Sequence, residues 1–295
     1  MKKVFSRYLL HVRTRHNLTQ REIVDFLIEG DNSFERLDIT TYSRWERGVT
    51  EPKLTKQILI ARIFRDDVTL LIDSMLSEKD AKTEVMREFL GFIDDPYWVE
   101  EPRLSSLIEN NCPTTRARIL AFHQNYLKAE IASDLLANQD VTLVTRKDSE
   151  GHLLGHFLYT FVPVNLPDDD YEPKQLHQQK LESKSTVSDA INFYFISGFS
   201  SIPDFRLDTL LTIIDLIKNY PAIKNVVINC HNQRNYNAYE THTENEIIGK
   251  GKIVNRGGIK LFGKRYSYVR LKIRAESILS TKAITNLLPY IEEMN

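Results

Sequence analysis

The sequence predicts a molecule of two parts, an all-α N-terminal domain followed by an α+β body built on a mixed sheet. Three observations carry that expectation. The 295 residues suit two cores at about 100–200 residues per domain. Apolar spacing is helical over the first quarter of the chain, then changes to alternating strands and helices. The net charge of −1 hides an uneven distribution: 13 Lys/Arg against 8 Asp/Glu over 1–65, 4 against 12 over 66–110, and 22 against 20 over 111–295. A basic head, an acidic middle and a near-neutral body predict parts with different partners, and a polyanion prefers the head. The expected boundaries are a helical domain over 1–76, an acidic helical connector over 77–111 and the α+β body over 112–295.

In the head, Phe5, Leu9, Leu10 and Val12 mark a first amphipathic helix over 5–16. Thr19 with Glu22 three residues on forms a capping box for a second, whose apolar face is Ile23, Val24, Phe26 and Leu27. Glu29 to Glu35 reads as a loop. Asp38 or Thr40 can cap a third helix through Arg47, stopped by Gly48. The periodicity of Lys53–Phe64 after Pro52 gives a fourth, and Leu70–Met75 a short fifth.

The connector holds Val85, Met86, Phe89, Leu90, Phe92 and Ile93 at helical spacing and breaks at Asp95-Pro96 and Glu101-Pro102. Tyr97, Trp98 and Leu107 make it too apolar for a solvated linker. A long helix is expected from Thr114 to Leu136. Val141–Thr145 and Leu153–Val164 form a hairpin about Asp148-Ser149-Glu150-Gly151. Residues 165–187, with three Asp, two Pro and three Gln, read as a long polar loop, mobile enough to gate a pocket. Ile191–Phe199 is a strand, Phe205–Tyr220 a helix and Ile223–Cys230 a buried strand. Asn235–Thr241 reads as helical, and Ile247–Val254 with Tyr266–Ile273 closes the body as a hairpin.

Composition narrows the class. No apolar run approaches the roughly 20 residues that span a bilayer, and the first residues lack the apolar stretch of a secretory signal. Cys112 and Cys230 have no second Cys or His at ligand spacing, so neither a disulfide framework nor a metal site is expected. A cytoplasmic protein with no membrane partner is the expectation.

The string Leu18-Thr-Gln-Arg-Glu-Ile-Val, then Thr40-Thr-Tyr-Ser-Arg-Trp-Glu-Arg-Gly-Val-Thr-Glu-Pro52, resembles the helix-turn-helix of the Cro/C1-type (XRE) repressors over roughly residues 5–65. The link between its second and third helices is longer than the family's tight turn, so residues 28–38 must bulge or extend helix two. In such a motif the recognition helix offers its N-terminal side chains to base edges. Thr40, Thr41 and Ser43 are short enough to reach bases or phosphates, and Arg44 suits a bidentate contact to guanine. Arg47, Lys53 and Lys56 lie where phosphates pass. By resemblance Gln20 caps helix two and holds a phosphate. Tyr42 and Trp45 read as inward, and Glu46 as a structural carboxylate.

The body resembles the GCN5-related N-acetyltransferase (GNAT) fold. Val141–Gly155 looks like its second and third strands, Ile191–Phe199 like its fourth, Pro203-Asp-Phe-Arg206 and the following helix like its cofactor segment, and Val226–Cys230 like its fifth. Asn232 and Tyr239 keep its Asn…Tyr spacing. That family cradles a pyrophosphate on backbone N–H groups, with small residues in Arg/Gln-x-x-Gly-x-Gly/Ala. Here the string is Arg206-Leu-Asp-Thr-Leu-Leu211, without either small residue and with Asp208 adding negative charge. Acetyl-CoA is therefore not assigned as a cofactor, and no catalytic residue is assigned. Tyr239, at the position of the family's general acid, reads as a packed ring with its hydroxyl at the surface. His152 and His156 read as surface histidines on one strand face. Gly249-Lys-Gly-Lys and Arg256-Gly-Gly match no phosphate-loop spacing. Residues 246–274 hold nine Lys/Arg against one acid, which suits DNA flanks, an anionic effector or the acidic connector as well as a solvated hairpin.

Together these features predict a DNA-binding transcription regulator, a repressor by family analogy, acting as a homodimer on a pseudo-palindromic operator. Its GNAT-like body then senses a small-molecule or protein effector, or mediates oligomerisation. Two other readings stand beside it: an active N-acyltransferase localised by its helix-turn-helix, and a DNA-tethered protein-interaction platform.

Overall fold

A computed structural model describes residues 4–72, 76–90, 107–108, 112–182 and 190–291. Most of the expected connector, including Tyr97, Trp98 and its two proline breaks, lies outside them. The chain divides into two compact units: Met1–Lys82 with Ile214–Pro221 and Glu276–Asn295, and Thr83–Ile213 with Ala222–Ala275.

The first unit holds α1 (Val4–Arg15), α2 (Gln20–Gly30), α3 (Ile39–Glu46) and α4 (Leu54–Ile63) around Leu9, Val12, Ile23, Leu27, Phe34, Tyr42 and Ile58, all fully buried. The capping box at α2 is present: Thr19 Oγ1 accepts from Glu22 N, and the Glu22 carboxylate accepts from Thr19 N at 2.7 Å. The long α2–α3 link extends α2 through Gly30 and then turns inward rather than bulging freely. It forms a 3₁₀ turn over Asn32–Phe34, and Phe34 plugs it into the core. Asp38, not Thr40, caps α3 by accepting from Thr41 N at 2.6 Å. Gly48 takes φ +71° just beyond the helix end, a conformation L side chains resist.

The fifth helix, expected over Leu70–Met75, lies partly outside the described residues. Its described part is a 3₁₀ turn over Val68–Leu71, started by Asp67 accepting from Thr69 N. The unit also takes residues that the expected boundaries give to the body. Thr55 and Ser280 share a 2.8 Å hydrogen bond, buried Arg62 donates to the carbonyl of Ile217, and Tyr290 Oη donates to Leu76 O. A buried guanidinium must find acceptors, and two backbone carbonyls of 214–221 supply them.

The second unit is α+β. Its sheet runs β1-β2-β3-β4-β5-β9-β6, where β1 is Leu107–Ile108, β2 Val141–Lys147, β3 Leu153–Pro163, β4 Ile191–Ser200, β5 Ile223–Cys230, β6 Asn245–Lys250 and β9 Val269–Arg274. All neighbours are antiparallel except β4 and β5, which are parallel. A right-sized crossover, helix Pro203–Asn219, joins those two. The strands expected from the sequence fall at β2 to β5, and β6 with β9 forms the final pair. Two short strands between them, β7 (Ile259–Leu261) and β8 (Lys264–Tyr266), make a separate ribbon. On one sheet face Phe157, Tyr159, Phe161, Phe193 and Phe195 stack as an aromatic ladder. On the other, Leu143, Leu158, Val162, Tyr194 and Ile196 join the core with Tyr171 and Leu176.

Two local expectations are corrected. The helix expected over 114–136 is broken: Pro113–Phe122 is α-helical, His123–Leu127 is a π turn, and Lys128 at φ +54° ends it before the short helix Ser133–Ala137. The π turn keeps both His123 and Leu127 buried. The loop over 165–187 is no gate in its described part, because Tyr171, Leu176 and Leu181 anchor it. Tyr194 Oη donates to Tyr171 O at 2.7 Å, and Asn192 donates to Tyr171 Oη at 2.8 Å.

Candidate functional site

In the first unit, Tyr42, Trp45 and Glu46 are buried. Glu46 accepts 2.5 Å hydrogen bonds from Arg13 Nε and Gln20 Nε2, so it clamps α3 to α1 and α2 as a structural carboxylate. Only the capping role expected of Gln20 is corrected: Thr19 makes the cap, and Gln20 Nε2 donates to Glu46. Thr40, Arg44 and Arg47 are exposed, at spacings that align along one helix face, while Thr41 and Ser43 are half-buried beside them. Lys53 is exposed too. Lys56 is half-buried and donates to Ser33 O at 3.0 Å, with its ammonium 5.0 Å from the Phe34 ring centre. It secures the α2–α3 link.

The second unit contains a cavity of about 500 Å³. Its origin is the way the two parallel strands part. β4 and β5 pair from Ile191↔Ile223 to Phe195↔Ile228 and no further, although β4 continues to Ser200. Opposite β3, the register shifts between Leu158 and Tyr159, so β4 carries one extra residue at Ile196 and bends with β3. Gly198 permits the bend, since a Cβ there would sit 2.6 Å from the Phe195 ring. The gap opens at the carboxyl ends of parallel strands, the usual place for a ligand crevice in α/β sheets. Phe122, Tyr126, Phe195, Phe199, Leu210 and Ile213 supply an apolar wall. Asn229, His231, Asn232, Asn235 and Tyr239 supply polar groups.

Burial sets the protonation states here. Ser197 Oγ lies 2.8 Å from His123 Nε2 and 3.5 Å from His156 Nε2. Desolvation lowers His123 to about 3 and both His156 and His231 to about 4, so all three are neutral at pH 7. The Nδ1 atoms of His123 and His231 are buried without a partner among the described residues. Burial pushes the Cys230 thiol up to about 12, which leaves it no nucleophile, and raises Tyr239 as well. The charged lining residues are Lys128, Arg206 and Arg256, with no carboxylate among the lining.

Several sequence expectations change in this light. His156 is not a surface group but lines the cavity, 3% exposed, whereas His152 sits in the hairpin turn and bonds Asp148 at 2.9 Å. Tyr239 turns into the cavity and packs on Phe89, with ring centres 6.0 Å apart, so its hydroxyl is not a surface feature. Arg206–Leu211 are helical, as the helix expected over 205–220 has them. The chain passes from β4 through Ser201 and Ile202 into the helix at Pro203, so these residues lie inside helical turns. Asp208 is paired with Arg146 at 3.0 Å, which offsets the negative charge expected there. The His123–Ser197–His156 group was missed. Its signal was present, because His156 and Ser197 are polar residues inside otherwise apolar strand runs, and such residues need an internal partner.

Among the described residues no helix is long and apolar enough to cross a membrane, and no group of three or more His, Cys, Asp or Glu is placed to hold a metal. No protein-family model matches the chain, and no curated protein matches it. The chain is similar to the structure of NAA60 from Arabidopsis thaliana in complex with acetyl-CoA, with a TM-score of 0.35 and 12% identity over 57% of this chain and 98% of that one. It is also similar to a structure of histone acetyltransferase HPA2 and related acetyltransferase from Corynebacterium glutamicum, with a TM-score of 0.25 and 12% identity over 68% of this chain and 93% of that one. At those scores the likeness adds nothing to the geometry of the cavity.

Proposed function

We propose that the chain is a sequence-specific DNA-binding transcription regulator, a repressor acting as a homodimer on a pseudo-palindromic duplex operator, with a GNAT-like body that binds a small effector. The observation that carries the reading is the division of α3. Tyr42, Trp45 and Glu46 lock it from beneath, while Thr40, Arg44 and Arg47 stay outside as a polar, cationic face. A recognition helix needs that rigid backing to present side chains to base edges. The cavity supports an effector over a purely protein-binding platform, because its size falls in the range of small-molecule sites. Three cations without a carboxylate favour an anion, and the apolar wall favours one with a greasy body.

The test pairs two measurements on the purified chain. Fluorescence anisotropy with a pool of genomic duplexes at two salt concentrations is expected to give salt-sensitive binding with a preferred sequence. Calorimetry with acetyl-CoA is expected to give no heat. Salt-sensitive binding with no sequence preference would overturn the regulator.

A second reading, an N-acyltransferase, is favoured by one observation: Tyr239 lines the cavity where the parallel strands part. It expects acetyl-CoA to bind and turnover to fall about 10²- to 10⁴-fold in Tyr239→Phe, as for loss of a general acid.

A further inference from the structure

The β7–β8 ribbon turns through Phe262 and Gly263, both with positive φ, +47° and +80°. Two such residues mark a type I′ hairpin turn, which prefers Asn-Gly or Gly-Gly because bulky side chains are strained there. Gly263 fits the rule and Phe262 breaks it. Burial does not compensate, for Phe262 is 88% exposed. An aromatic ring is thus held at a loop tip against both conformational preference and the hydrophobic effect. Strain of that kind points toward a use.

The surroundings narrow the use. From Ile247 to Ala275 the sequence holds nine Lys/Arg and no Asp or Glu. Six of those cations, Lys250, Lys252, Arg256, Lys260, Lys264 and Arg265, are exposed on or beside the ribbon. Lys250 Nζ lies 5.7 Å from the Phe262 ring centre and 5.6 Å from that of Tyr266. A ring set among cations, on a stretch of sequence without a carboxylate, is complementary to a polyanion that also offers flat apolar faces.

We infer that this ribbon is a second nucleic-acid contact, its cations on phosphates and Phe262 stacked on a base or wedged at a base step. An anionic bilayer would also attract the cations. A single ring at the tip gives a bilayer little apolar area to bury, whereas one ring is what stacking on one base requires. The inference rests on the DNA-binding reading above but uses residues of the other unit.

Phe262→Asn is the decisive variant, because Asn is favoured in this turn. The full chain should keep or gain thermal stability, so lost binding cannot be blamed on misfolding. Anisotropy with a labelled non-operator duplex and its matching single strand should show affinity falling about tenfold on at least one. The triple variant Lys260→Gln/Lys264→Gln/Arg265→Gln should flatten the log-affinity against log-salt slope by about 3. Unchanged affinity and slope in both variants would overturn the inference. So would nucleic-acid binding that persists while binding to phosphatidylserine vesicles is lost. Failure here is distinct from failure of the α3 reading, since Arg44→Ala acts on base preference and Phe262→Asn on sequence-independent affinity.

Discussion

In the helical unit the candidate site lies outside, on one eight-residue helix, whereas in the sheet unit it lies inside, between segments running from Phe89 to Ser267. The outer site keeps its charges solvated and uses the core only as a foundation. Arg44 and Arg47 stay in water and cost little to display. The inner site has the reverse arrangement. Burial neutralises its histidines, thiol and tyrosine, and its polar atoms are satisfied only in part. Stability of the sheet unit should therefore answer to pH and to buried polar substitutions. The α3 face should answer to single surface side chains.

The sharpest way to test that contrast is Arg270. Its side chain is 1% exposed, donates from Nε to Asn229 Oδ1 at 2.9 Å and from Nη2 to Glu172 at 3.1 Å, and lies between the Tyr194 and Tyr268 rings. Asn229 in turn lines the cavity. Arg270→Leu should destabilise the sheet unit by about 3–5 kcal/mol, read as a lower urea midpoint. DNA preference at intact α3 should persist under native conditions. A small or absent loss of stability would show that the buried guanidinium is not holding the cavity wall.

Acid is the next lever. His123, His156 and His231 titrate at about 3, 4 and 4 when folded but near 6.5 when unfolded. The unfolded chain therefore takes up protons first, and stability is full above about 6.5 and falls as pH drops toward 4. Each of these histidines should cost on the order of 1 kcal/mol between pH 6.5 and 5.5. Urea midpoints at the two pH values read it, and His156→Gln should flatten the slope.

The same contrast explains what the sequence disclosed. The α3 face is local: Asp38, Tyr42, Trp45 and Gly48 follow from capping and helical spacing, so which residues flank them on the open side could be read without knowing the fold. Phe34 was harder, because its anchoring of the α2–α3 link depends on a core it does not help to pattern. The strands were legible from their apolar alternation, yet the cavity was not. It arises from where β4–β5 pairing stops and from one extra residue at Ile196, and neither has a sequence signature. Tyr239 and His156 looked like surface groups because helical and strand periodicity gives a face but not what covers it. The second role of Lys56, holding Ser33 O in the α2–α3 link, was also hidden, because its partner is a backbone atom that no sequence pattern marks.

Within the head, Arg44 and Thr19 separate reading from foundation. Arg44→Ala should cost about 1–3 kcal/mol at the preferred operator and relax one base position, with no change in thermal stability. A variant that left both affinity and preference intact would remove α3 as the reading helix. Thr19→Ala deletes the side chain that accepts from Glu22 N at the start of α2. It should cost about 1 kcal/mol of stability and leave base preference untouched, because its carboxylate partner Glu22 and the Gln20–Glu46 bond hold the first turn against α3. If Thr19→Ala instead shifted base preference, the angle of α3 would depend on the α2 cap, and the foundation could no longer be treated as separate from the face it carries.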